Sequence, residues 1–174
     1  LDMGGTWMGI TKTGRFAAIT NYRDPQSVAP APRSRGELPL DFLCGNQTPQ
    51  RYLQSISAHG SDYAGFNLLL GHEGQMWYFT NDRSEPAQQP RRLEPGIYGL
   101  SNARLDTPWP KVSLGTERLS STLDGGDINH SKLRHVVQDS SIADAQELLL
   151  QGMSSPMEQR LSGQFICAPE HDYG

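Results

Sequence analysis

Residues 4–23, GGTWMGITKTGRFAAITNYR, constrain the fold most. Lys12-Thr13-Gly14 is a turn, and the side chains beyond it alternate with a period of two. Phe16, Ala18 and Thr20 share one face of the second strand; Ala17, Ile19 and Asn21 share the other. Strands joined so tightly must pair antiparallel. A second hairpin is expected over 65–70 and 75–80, turning at Gly71-His72-Glu73-Gly74. Between the hairpins, Pro25, Pro30 and Pro32 keep 23–35 irregular, and Arg35 and Glu37 order the entry to a helical turn over 38–44. Pro39 fits only in its first turn. Thr48-Pro49 starts a helix that runs to about His59, buries Tyr52, Leu53 and Ile56, and ends at Gly60. Further on, 81–95 reads as loop and 96–101 as a short strand. Residues 110–123 read as a helix with Val112, Leu119 and Leu123 inward, ended by Gly125-Gly126. Residues 130–137 are ambiguous; 141–151 is the clearest helix, capped by Ser140 or Ser141, and 165–168 would open a last strand. Hairpins with segregated helices give α+β layers rather than βαβ winding.

The 174 residues suit a single domain, 1–174. Leu1 is not a start Met and nothing polar precedes Gly4, so the chain reads as an excerpt of a larger domain. A net charge of -4 leaves no basic face, so no nucleic-acid partner is expected. The longest apolar run, Phe66-Asn67-Leu68-Leu69-Leu70, is strand-sized, far short of the roughly 20 residues of a membrane span, so no stable membrane insertion is expected. Cys44 and Cys167 have no framework spacing. They read as two buried thiols in a reducing compartment, with a disulfide as the alternative. His130 and His135 stand five apart, which does not suit joint metal binding on one helical face. Cys167 and His171 cannot close a zinc site alone, so no metal site is expected.

Several strings resemble a known family. They are Gly4-Gly5-Thr6-Trp7, Thr20-Asn21-Tyr22-Arg23, Arg35-Gly36-Glu37-Leu38, Gly65-Phe66-Asn67-Leu68, Gly96-Ile97-Tyr98-Gly99-Leu100-Ser101-Asn102-Ala103 and Thr107-Pro108-Trp109. In this order they are similar to the NRDE family, the transport and Golgi organisation 2-like proteins. The resemblance implies an N-terminal-nucleophile (Ntn) hydrolase-like fold: a four-layer αββα sandwich of two antiparallel sheets between helices. It also implies a family Cys and an Asn-Arg-Asp-Glu motif upstream of Leu1.

Two functional readings follow from that resemblance. The first is intracellular, cytoplasmic ligand handling: binding and trafficking of haem, or of another small amphiphile such as an acyl-type molecule, in an Ntn-like cleft. The second is a cysteine-dependent amidohydrolase acting on non-peptide C–N bonds, in which asparagine amides stabilise an oxyanion. By this carry-over Asn21 and Asn102 are the catalytic candidates. The competing roles are a strand-end Asn satisfying backbone groups and a turn cap. Trp7, Arg23, Tyr98 and Trp109 are the candidate ligand-binding residues, Arg23 facing a ligand carboxylate.

Overall fold

In a computed structural model the described residues are 4–22, 31–82, 89–150, 159–160 and 162–164. They fall into two compact units: Leu1–Gly96 with Ser101–Arg104, and Ile97–Leu100 with Leu105–Gly174.

The first unit is a five-stranded antiparallel meander in the order β1-β2-β3-β4-β5. Its strands are β1 (Met8–Ile10), β2 (Phe16–Asn21), β3 (Phe66–His72), β4 (Gln75–Thr80) and β5 (Arg91–Leu93). The β1–β2 turn uses Gly14 at φ +79. The β3–β4 hairpin turns on Glu73 and Gly74 alone, both at positive φ, as a two-residue turn matched to strand twist requires. The turn is thus two residues shorter than the sequence suggests. Gly71 and His72 belong to β3, and Gly71 is where Phe16 and Met76 close in from the neighbouring strands.

Helices α1 (Glu37–Cys44) and α2 (Pro49–Ser57) cover one face of this sheet, α1 over β1 and β2, α2 over β3 and β4. The α2 signals act as read: Thr48 Oγ1 accepts from Arg51 N, Pro49 opens the helix, and Tyr52, Leu53 and Ile56 are buried. Pro39 sits in the first turn of α1. The core lies between helices and sheet. Leu38, Phe42, Tyr52, Leu53 and Ile56 meet Ala17, Ile19, Phe66, Leu68, Leu70 and Phe79. Rings pack tilted or edge-on within it, Phe42 on Tyr52 at 5.5 Å and Tyr63 on Phe66 at 6.0 Å.

The loop expected over 81–95 contains β5, an edge strand held between Pro90 and Pro95 that buries only Leu93. The strand expected over 96–101 is absent. Gly99 N donates to Asp106 Oδ1 and Asp106 N to Gly99 O, both at 2.8 Å, which closes the intervening chain into a loop. Residues 165–168 lie outside the described residues.

The second unit packs α3 (Pro110–Asp124) against α4 (His130–Val137), which resolves the ambiguous segment as a helix capped by Asn129. Of the residues expected to face inward on α3, Val112 and Leu119 are half-buried, whereas Leu123 is 40% exposed. Helix α5 (Ala145–Leu150) starts later than expected. Ser141 N is bound by the Asp139 carboxylate, and Asp144 caps the helix through Gln146 N. Cys44 is exposed at the end of α1, correcting the buried thiol; Cys167 lies outside the described residues.

Candidate functional site

The face of the sheet opposite α1 and α2 has a polar end and an apolar end, and strand register puts them there. Thr20, Asn67 and Thr80 are opposite one another on β2, β3 and β4. The next row on this face is Ala18, Leu69 and Tyr78, and beyond it lie Phe16, Gly71 and Met76. Met8 and Ile10 continue the apolar end onto β1, opposite Ala18 and Phe16.

The residues Ser101–Arg104 are held at the polar end by side chains of the sheet. Thr20 Oγ1 donates to Ser101 O at 3.0 Å, and Asn67 Nδ2 donates to Ala103 O at 2.9 Å. Asn102 Nδ2 donates to Asn21 O at 3.1 Å. Arg104 Nε pairs with Asp82 at 2.5 Å, and Asp82 is 5% exposed. A third amide, Asn81, ties the end of β4 to the turn before β3. Its Oδ1 accepts from Phe66 N at 2.7 Å, and its Nδ2 reaches the carbonyl of Gly60 at 2.9 Å.

The structure therefore brings Asn102 to Asn21, but through the main-chain carbonyl of Asn21. Strand alternation puts the exposed Asn21 side chain on the side of Ala17 and Ile19. Trp7 is 64% exposed beside β1, where its carbonyl accepts from Ile19 N. Arg23 lies outside the described residues. Tyr98 and Trp109 belong to the second unit. Tyr98 is half-buried, and Trp109 precedes α3 with the Lys111 ammonium 5.5 Å from its ring centre. Burial lowers the Lys111 pKa. Asn67 was visible in sequence only as one amide within an apolar strand, and its hub position needs the register of three strands.

Arg35 and Glu37 order the helix entry. Arg35 Nη1 donates to Gly65 O at 2.8 Å, and Glu37 Oε1 accepts from Tyr63 OH at 2.6 Å while pairing with Arg33. Burial, and then the Glu37 hydrogen bond, push the Tyr63 hydroxyl above its ordinary range.

Among the described residues no cluster of three His, Cys, Asp or Glu could hold a metal ion. His59, His130 and His135 are exposed, and His72 is half-buried on the helix-covered face. A groove of about 460 Å³ runs between α3 and α4, lined in part by Arg118, Lys132 and His135. Its two fixed cations are engaged, Arg118 with Asp139 at 2.6 Å and Lys132 with Asp127 at 3.2 Å.

Three curated relatives are similar to this chain. A bovine (Bos taurus) Transport and Golgi organization protein 2 homolog is 41% identical over 127 residues, 71% of this chain and 45% of the relative. The mouse (Mus musculus) Transport and Golgi organization 2 homolog is 41% identical over 118 residues, 66% of this chain and 42% of the relative. The human (Homo sapiens) homolog is 43% identical over 118 residues, with the same shares. The chain thus spans less than half the length of the curated relatives it matches. The family model for Transport and Golgi organisation 2 matches residues 1–174, and the chain belongs to that family.

Proposed function

We propose that this chain handles a small amphiphilic ligand, haem or an acyl-type molecule, in a cytoplasmic setting, on the sheet face opposite α1 and α2. In this reading the fold is Ntn-hydrolase-like, and a second antiparallel sheet stacks over the same face to make a cleft. One observation carries the reading: that face grades from apolar to polar. Met8, Ile10, Phe16, Ala18 and Leu69 would take the hydrocarbon or porphyrin body, with Trp7 as wall. Asn102, at the polar end, would meet the ligand's charged group, with Arg23 as the partner for a carboxylate. Tyr98 and Trp109 remain candidate ligand-binding residues of the second unit. Met8 and Met76 share this face by register, and were haem bound there their thioethers would offer it soft sulfur donors.

Haem titration of the full-length protein tests this reading. It predicts a saturable, shifted Soret band that weakens in Ala18→Asp, which puts a charge on the apolar row. No saturable band, together with no retention of an acyl amphiphile, would reject it. The second reading, a cysteine amidohydrolase, is favoured by the placement of an Asn side-chain amide at the end of β2. An electrophilic acyl probe would then label a cysteine upstream of Leu1, and Asn102→Ala would slow turnover with the label intact.

A further inference from the structure

Asn67 has no exposed surface, yet it sits among apolar neighbours in the central strand β3. A buried amide is tolerated only when its donors and acceptors are met. Asn67 Oδ1 accepts from Tyr78 OH at 2.7 Å. Its Nδ2 donates to Ala103 O at 2.9 Å and to Thr20 Oγ1 at 3.2 Å. Thr20 then spends its own proton on Ser101 O at 3.0 Å.

These bonds run in one direction: Tyr78 to Asn67, Asn67 to Thr20, Thr20 to Ser101. The amide cannot be turned over, because its oxygen would then face the Ala103 carbonyl. Three adjacent strands supply one residue each, so the sheet itself sets the chain's geometry. Its last two members, Asn67 and Thr20, grip the carbonyls of Ala103 and Ser101, which flank Asn102 on either side. The residue between two fixed carbonyls has little freedom of main-chain direction, and its side chain reaches Asn21 O.

We propose that Asn67 and Thr20 are positioning residues for Asn102: through Tyr78 below and the two carbonyls above, they fix where the Asn102 amide is presented at the end of β2. The role of Asn102 towards a ligand rests on the function proposed above; the way it is held does not.

The test is NMR of the full chain labelled with 15N-asparagine, following the order parameter of the Asn102 side-chain NH2. In the parent protein it is expected in the rigid range, above about 0.8, and in Thr20→Val in the flexible range, below about 0.6. Thr20→Ser, which keeps the hydroxyl, is expected to restore it. Tyr78→Phe, which removes only the first donor, is expected to lower it partway, and it carries the test if Thr20→Val does not fold. An Asn102 amide equally rigid in Thr20→Val and Tyr78→Phe, with lower thermal stability as the only change, would overturn the proposal. Haem affinity is measured alongside. If a Soret band forms, Thr20→Val and Asn102→Ala should weaken it by similar factors, and the double variant by no more than either alone. Full additivity would overturn the proposal. No band in the parent protein counts against the ligand reading alone, and the order parameter still decides the positioning.

Discussion

Arg15 carries a guanidinium into the first unit at only 7% exposure and spends it on the end of a helix. Nε and Nη2 both donate to Phe42 O, at 3.1 and 2.8 Å, and Nη2 also donates to Gln47 O at 2.9 Å. The group lies over the Phe42 ring, 3.9 Å from its centre. A cation at the C-terminal carbonyls of α1 is placed where the helix dipole favours it. Arg15→Met is expected to cost about 2 kcal/mol, the worth of charged hydrogen bonds made by a buried group, read as a lower urea midpoint. Arg15→Lys should recover little, because an ammonium cannot reproduce the planar fork. Gly5 acts at the same scale by having no side chain. A Cβ there would lie 2.6 Å from the Gly36 carbonyl carbon, where main chain meets main chain and Thr6 N donates to Gly36 O. Gly5→Ala is expected to cost roughly 1–3 kcal/mol by overpacking, again seen in the urea midpoint.

Elements whose signal is local were legible in the sequence, and elements defined by distant partners were not. The first hairpin, over 6–22, carries its own turn and alternation, and helix α2 its own cap and periodicity. The strand β5 carries none: Arg91 and Arg92 are exposed, and only pairing with β4 makes the segment a strand. Residues 96–101 alternate like a strand but are diverted by the Asp106 carboxylate, which claims Gly99 N. Helix α5 starts beyond the two serines because Asp144 takes the capping place, its carboxylate accepting from Gln146 N and its carbonyl from Leu148 N. Of the candidate site, Asn21 and Asn102 were singled out from the family likeness as two side-chain amides; their contact runs through the Asn21 main-chain carbonyl, and the Thr20–Asn67–Tyr78 chain depends on register across three strands. At this scale α4 is the element most dependent on its cap, since Val136 is its one buried residue. Asn129 Oδ1 accepts from Lys132 N at 3.1 Å. Asn129→Ala should cost about 1 kcal/mol and raise amide exchange within α4 roughly fivefold, with β3 unaffected.

Taken as a whole, the molecule meets opposite limits of pH in its two units. In the second, the Ser141 hydroxyl and amide, together with Arg118, hold the Asp139 carboxyl at about 2, below the ordinary 3.8. A carboxyl lowered in the fold stabilises it above about 3.8, and that contribution fades as pH falls through about 2. In the first unit, burial raises the hydroxyls of Tyr52 and Tyr63 above their ordinary 10.0. Their contribution is complete below that value and is lost as pH climbs past it, so phenolate absorbance from these two should appear only with unfolding. The edges of the sheet are unlike in a way that bears on function. The β5 edge is blunted by Arg91 and Arg92, whereas β1 presents Met8 at 48% and Ile10 at 74% exposure beside Trp7 at 64%. Among the described residues no helix is long and apolar enough to cross a membrane, so a span of that kind does not account for this surface. If the face receives an amphiphile, Ile10→Thr should separate binding from folding. Threonine keeps the β-branch that suits a strand, and the ethyl arm that its hydroxyl replaces was already largely in water, so stability should change by less than about 0.5 kcal/mol. Retention of haem or of an acyl amphiphile should fall, because the apolar row then ends one residue sooner. Unchanged retention with unchanged stability would place the ligand away from β1, and that outcome is read directly from paired titration and thermal melts of the two proteins.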